Sequence, residues 1–186
     1  KIPIRIRNAF NLSNEGTIIS KNPSKSSQKI VKSIIAIRNT ALIDVSGGGM
    51  VGAPGTAAKI FDALARKSVN IMMISQSPSE SSISMVVKKD DLDTAITTLD
   101  LTLLDKVIKN VRVNEDVAVV AVVGSGMRGI KGIAAKVFSS VSKNSINVIM
   151  IAQGSSELNL AFVVNNVDCE KAVKSLHEAF MLTKVN

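Results

Sequence analysis

Two glutamines, Gln76 and Gln153, each end an apolar run and each stand just before a short polar turn, in IMMISQSPSE and VIMIAQGSSE. An amide side chain both donates and accepts hydrogen bonds, so it can satisfy a hydroxyl group that would otherwise be buried unpaired. Upstream of each lies a glycine-rich loop that enters a helix, GGGMVG at Gly47 to Gly52 and GSGMRG at Gly124 to Gly129. Glycines allow close backbone approach, and the first turn of a helix offers free N–H groups and a positive dipole end to an anion, carboxylate or phosphate. The chemistry these residue types suit is the binding of a small polar ligand. Two other readings stay open: the amides can bond their own hairpin backbone, and several of the glycines can serve only tight turns and helix packing.

These features recur at an offset of 77 residues (153 − 76), and the match extends without a gap. Gly47, Gly49, Met50, Gly52, Gly55, Ala57, Ala58, Lys59 and Phe61 pair with Gly124, Gly126, Met127, Gly129, Gly132, Ala134, Ala135, Lys136 and Phe138. The chain contains an internal duplication. Each copy runs as a buried-type strand (Ala41 to Ser46; Val117 to Val123), the loop, and a helix (about Thr56 to Lys67; about Ile133 to Lys143). Two strands joined by a short turn follow, Asn70 to Gln76 with Ser82 to Lys88 and Asn147 to Gln153 with Asn159 to Asn165. The turn is too short for a crossover helix, so each pair is an antiparallel hairpin. A second helix starts at an acidic end, Asp90 to Leu99 and Asp168 to Phe180, with Leu92, Ala95, Ile96 and Leu99 as its apolar stripe. Ile60, Phe61 and Leu64, and Val137, Phe138 and Val141, form the matching stripes of the first helices.

Strand, helix, strand, strand, helix, strand is the ferredoxin-like βαββαβ order, an α+β fold. The first copy closes with a strand at Asn110 to Asn114, but the second has none left after its last helix. Ile30 to Arg38 is the spare strand, so the first domain is expected to be inserted within the second. The expected divisions are residues 1–28 as a preceding segment and linker, 39–115 as the first domain, and 29–38 with 116–186 as the second. KIPIRIRNAF alternates like a strand, and NLSNEGTIISKNPSKSSQK reads as a turn, a short extended piece and a Ser/Lys/Pro linker.

The glycine motif also matches the dinucleotide-binding pattern G-x-G-x-x-G. That pattern needs an acid at the end of the next strand and a parallel βαβαβ order, and neither is present here. One cysteine, Cys169, excludes an intramolecular disulfide, and one histidine, His177, removes most metal sites and the histidine-dependent catalytic triads. The net charge of +8 concentrates before residue 39, where eight basic side chains face one acid, Glu15, and the rest is almost neutral. With no Trp or Tyr for base stacking, nucleic-acid binding is not expected. Apolar runs such as Val117 to Val123 are far shorter than the roughly 20 residues a membrane span needs, and no signal peptide opens the chain, so a cytoplasmic location is expected.

GGGMVGAPGTAAKIF, NIMMISQSPSESSISMVV, GSGMRGIKGIAAKVF and NVIMIAQGSSELNLAFVV closely resemble the tandem ACT domains at the C-terminus of aspartate kinases, and KIPIRIRNAFNLSNEGTII resembles the last segment of their kinase domain. The resemblance covers essentially the whole chain and implies the same insertion of the first domain in the second. It implies a regulatory region of an enzyme that phosphorylates the side-chain carboxylate of aspartate with ATP, with ATP and Mg in a kinase domain N-terminal to this region. No catalytic residue, metal or cofactor is expected among these residues, and the region alone is expected to be inactive.

The same resemblance implies that an end-product amino acid binds where the loop and helix start meet the second strand. In the first copy that set is Met50, Gly52, Ala53, Pro54, Gly55, Thr56, Asn70, Ile71, Gln76 and Ser77. In the second it is Met127, Gly129, Ile130, Gly132, Asn147, Val148 and Gln153. Backbone N–H groups would hold the α-carboxylate and strand carbonyls the ammonium. Lysine-sensitive relatives commonly carry an acid where this chain has Met72 and Ile149, and an unpaired ε-ammonium there would be costly, so threonine is the expected effector and lysine the alternative. Met50 and Met127 are open between core filling and a lid over the ligand. Pairing of ACT domains into a homodimer is also implied, and a purely structural dimerisation module is the rival reading.

Overall fold

Two strands of fourteen residues, β3 (Ser33–Ser46) and β6 (Asn110–Val123), run antiparallel and pair from Ser33 opposite Val123 to Ser46 opposite Asn110. Each combines two segments that the sequence reads as separate strands. The N-terminal half of β3 is the spare strand and its C-terminal half opens the first copy; β6 closes the first copy and then opens the second. The two copies thus share one continuous ribbon.

The computed structural model describes residues 2–19, 30–103 and 108–182. Most of the Ser/Lys/Pro linker lies outside them. Ahead of it, β1 (Ile4–Ile6) and β2 (Thr17–Ile19) pair as a small antiparallel sheet. The main sheet is six-stranded in the order β4-β5-β3-β6-β8-β7, where β4 is Ile71–Gln76, β5 Ser82–Lys88, β7 Met150–Ala152 and β8 Asn159–Asn165. Every pairing is antiparallel.

Helices α1 (Thr56–Ala65) and α2 (Leu92–Leu103) cover the first copy, and α3 (Ile133–Lys143) and α4 (Cys169–Ala179) cover the second. Alternation along β3 sends Ala41, Ile43 and Val45 beneath α1 and α2, where they meet Ile60, Leu64, Leu92, Ala95 and Leu99. In the second core Ala118, Val120 and Val122 meet Val137, Val141, Phe162 and Leu176, and Phe138 stands edge-on to Phe162 with ring centroids 5.7 Å apart. A third cluster joins the opposite sheet faces of both copies: Leu42, Met73 and Val86 with Val117, Val119, Met150 and Val163. The two domains are therefore packed on each other as well as paired edge to edge.

The ribbon bends to allow this. Its register shifts between Ile37 and Thr40 and again before Leu42, and Asn39 takes a left-handed φ of 58°. Asn tolerates that conformation better than other non-glycine residues. Thr40, 1% exposed, donates its hydroxyl to the Val117 carbonyl at 2.8 Å, and these two positions are themselves repeat partners. The pseudo-twofold axis relating the copies passes beside this bond. Main-chain bonds on either side obey the same symmetry: Lys32 N–H donates to Val123 O and Lys109 N–H to Ser46 O, both at 2.8 Å.

Several boundaries differ from the sequence reading. α1 ends at Ala65 rather than Lys67, because Ser68 takes a left-handed φ of 59° and Val69 N–H bonds back to Leu64 O; Ser145 and Ile146 repeat that ending after α3. α2 starts at Leu92, after a single 3₁₀ turn at Lys89–Asp91, and extends one turn past Leu99. The strand expected from Asn147 is regular only over Met150–Ala152. The cause is visible in the first copy, where the β4 register shifts between Ile71 and Met73 and puts these two side chains in different cores. Val148 and Met150 divide in the same way.

Ion pairs lie on exposed helix faces, Asp62–Arg66 at 2.8 Å and Glu170–Lys174 at 2.6 Å. Lys174 holds the Glu170 carboxyl below the usual carboxylate range, chiefly by its hydrogen bond and then by its charge. Such exposed pairs contribute little to stability. The buried bond at the ribbon's bend is the sharper test. Thr40→Val keeps the shape, removes the donor and should destabilise the chain by about 1 kcal/mol, whereas Thr40→Ser should restore much of the loss, as read by urea denaturation.

Candidate functional site

Both glycine loops are held by the hairpin that follows their helix. Gly47 N–H donates to Ser81 O and Gly124 N–H to Leu158 O, both at 3.0 Å. A short 3₁₀ turn then carries Met50 and Met127 into the two cores, 2% and 3% exposed, and Met127 also borders the space in front of the helix that follows. Past that turn the backbone enters left-handed conformations twice per copy, at Gly52 (φ 64°) and Gly55 (φ 81°), and at Gly129 (φ 73°) and Gly132 (φ 85°). Side chains are disfavoured there by the backbone itself, since a Cβ at any of the four meets nothing within 4 Å. Gly124 is different: its Cβ would stand 2.2 Å from the Ile30 carbonyl oxygen, so this glycine serves the close passage of the chain entering β3.

Gly55 and Gly132 occupy the N-cap positions of α1 and α3, and no side chain caps either helix. A helix start without a capping side chain leaves first-turn N–H groups and the positive dipole end facing the space in front of it. In the second copy that space is a cavity of about 300 Å³ lined by Met127, Gly129, Ile130, Lys131, Gly132, Ile133, Ala134, Gln153 and Glu157. Five of the seven residues expected there, Met127, Gly129, Ile130, Gly132 and Gln153, meet in it. Asn147 and Val148 do not line it: Asn147 is exposed, and Val148 packs against the core beneath the helices.

In the first copy, Gly52, Pro54 and Gly55 form an exposed loop, while Ala53 is partly buried. Thr56 is buried and its hydroxyl is used internally, donating to Ala53 O at 2.9 Å. Ile71 packs against the core under α1 and α2, Asn70 is exposed, and Ser77 Oγ starts a chain of hydroxyl contacts through Ser79 to Ser81 across the hairpin tip. Gln76 and Gln153 are both exposed, and neither amide hydrogen-bonds to another of the described residues. The hairpin-bonding alternative for these amides is therefore not what the fold uses.

The sequence reading missed one pair. Glu80 Oε2 accepts the Gly52 N–H at 2.9 Å, and Glu157 Oε2 accepts the Gly129 N–H at 2.5 Å. Each glutamate has a left-handed φ of 56° at its hairpin tip and reaches back across 28 residues to the loop. The signal was present, because the two also stand at the repeat offset. Among the described residues no group of His, Cys, Asp and Glu is arranged to hold a metal ion, and no helix is long and apolar enough to cross a membrane.

Tandem βαββαβ units with glycine-opened helix starts define a class, and comparison with known proteins gives it a name. A family model described as "ACT domain" matches residues 43–102 and 120–180. The regulatory subunit of aspartate kinase from Thermus thermophilus, in its ligand-free form, superimposes with a TM-score of 0.72 at 30% identity, covering 82% of this chain and 99% of that one. The aspartate kinase of Clostridium acetobutylicum gives a TM-score of 0.86 at 31% identity, over 96% of this chain and 41% of that one. The bifunctional aspartokinase/homoserine dehydrogenase 2 of Zea mays, a chloroplastic protein, is 38% identical over 98% of this chain. The chain belongs to the ACT domain family, as a tandem ACT regulatory region of the aspartate kinase type. It spans 21% of the length of that Zea mays relative.

The glycine geometry makes a direct prediction. Gly132→Ala should destabilise by about 1 to 2 kcal/mol through backbone strain alone. Gly48→Ala, in open space with no positive φ, should fall within about 0.5 kcal/mol of the parent. Gly124→Ala should cost more than either, since backbone must move. Thermal unfolding of the three variants orders them.

Proposed function

We propose that the chain is the effector-binding part of an aspartate kinase, and that the loop and hairpin of each copy bind an end-product amino acid, threonine, for feedback control. The observation that carries this reading is the second-copy cavity, where the uncapped start of α3 and the unbonded amide of Gln153 face one space. Main-chain N–H groups suit a carboxylate, and a free amide suits a hydroxyl. Met72 and Ile149 are partly buried, and Ile149 packs on the apolar cluster between the domains. An ε-ammonium directed there would have no acid to pair with. Threonine fits this chemistry better than lysine.

On this reading the catalysed reaction is phosphorylation of aspartate by ATP in a kinase domain outside this sequence, and the effector acts through different affinities for two states of the whole enzyme. Dimerisation through ACT edges accompanies it. β4 and β7 are the two edges of the main sheet, and Ile74 and Ile151 on them are 43% and 46% exposed. These exposed edges are also what favours the second reading, a dimerisation module that binds no effector.

Calorimetric titration separates the two. Threonine should release or absorb heat with the unaltered chain, lysine should do so weakly or not at all, and Gln153→Ala should weaken threonine by about tenfold. A stable dimer that gives no heat with either amino acid would leave the structural reading standing.

A further inference from the structure

The binding proposal places a carboxylate and a hydroxyl but leaves the ammonium of the effector to strand carbonyls. We infer that Glu157, and Glu80 at the matched loop of the first copy, are the residues that select for it, Glu157 acting as a negative wall of the second-copy cavity; the inference rests on the binding reading above. Glu157 lines the same cavity as Gln153 and the α3 start. Its carboxylate is fixed there by the Gly129 N–H, and the Glu80 carboxylate is fixed by the Gly52 N–H in the same way. Among the described residues neither glutamate belongs to a salt bridge.

The placement is costly to the backbone, which argues that it serves more than turn formation. Both glutamates sit at φ 56°, a conformation that Gly or Asn adopts more readily, and at both the side chain is directed onto the glycine loop. One wall of the cavity is thus the positive end of a helix and another is a carboxylate, with Gln153 beside them. Lys131 also lines the cavity, so the helix start and Lys131 suit a carboxylate while Glu157 suits an ammonium; opposite charges on two walls match a zwitterion, and a simple anion would leave Glu157 as an uncompensated like charge. Selection for an amino acid over its deaminated counterpart follows from that arrangement.

The alternative is that the glutamates only tie hairpin to loop. Glu→Gln distinguishes them, because an amide oxygen accepts the same N–H while the charge is lost. Threonine and 2,3-dihydroxybutanoate, which lacks the ammonium, are titrated into the unaltered chain, E80Q, E157Q and the double variant, with circular dichroism to confirm the fold. The expected result is that the double variant binds threonine about five- to tenfold more weakly and 2,3-dihydroxybutanoate equally or more tightly. Unchanged threonine affinity, or equal weakening of both compounds, would reduce the glutamates to a structural tie and overturn the inference while leaving the binding reading intact. Absence of heat from threonine with the unaltered chain would overturn the binding reading and this inference with it.

Discussion

The pairing of β3 with β6 is the constraint on which everything else depends. Neither ferredoxin-like unit owns its central strands: each unit opens on one of the two long strands and closes on the other. A hairpin is marginal alone, and a four-stranded unit needs its closing strand to complete its sheet. Exchange of closing strands therefore makes the folding of each domain conditional on the other. The third apolar cluster strengthens this dependence, since Leu42, Met73 and Val86 lose their cover if the second domain unfolds, and Val117, Val119 and Val163 lose theirs if the first does.

That arrangement also determines where the two glycine loops lie. Each glycine loop leaves the end of one long strand, and the hairpin it touches pairs with that same strand. The Gly47 and Gly124 amides fix the near side of the contact; the Glu80 and Glu157 carboxylates fix the far side. The loop is thereby held open in front of the helix rather than collapsing onto it, and the left-handed glycines at positions 52, 55, 129 and 132 let the backbone make the turn.

Much of this was legible because the sequence repeats. Gln76 and Gln153 at a constant offset located the hairpins, and the missing last strand of the second copy required a strand from before the first. What periodicity could not show was that two strand-like runs, interrupted by Asn39-Thr40, form one continuous strand, because the bend depends on register with β6 rather than on local propensity. The short β7 was hidden for a related reason: Asn147 to Gln153 is apolar enough for a strand, but regular pairing with β8 extends only over Met150–Ala152. Glu80 and Glu157 fall in the polar turns and carry no periodic or motif signal of their own beyond the repeat offset. Charge at a hairpin tip is ordinarily unremarkable, and only the folded loop brings Gly52 and Gly129 against it.

Departures from the repeat matter as much as the repeat itself. At the pseudo-twofold axis a polar Thr40 faces Val117, so one hydroxyl bond stands where perfect symmetry would require two or none. At the loops Pro54 fixes φ and removes a donor in the first copy, while Lys131 brings a positive charge to the second cavity. A positive side chain there adds to the attraction of the helix start for an anionic group and stands in the same cavity as the Glu157 carboxylate, whereas the first loop has no such charge at the matched position. Thr56 against Ile133 adds to the difference, because the Thr56 hydroxyl is engaged with Ala53 O and Ile133 lines the second cavity with carbon. Duplication thus produced two glycine loops with the same backbone and different side chains around them, while the shared ribbon couples the domains that carry them.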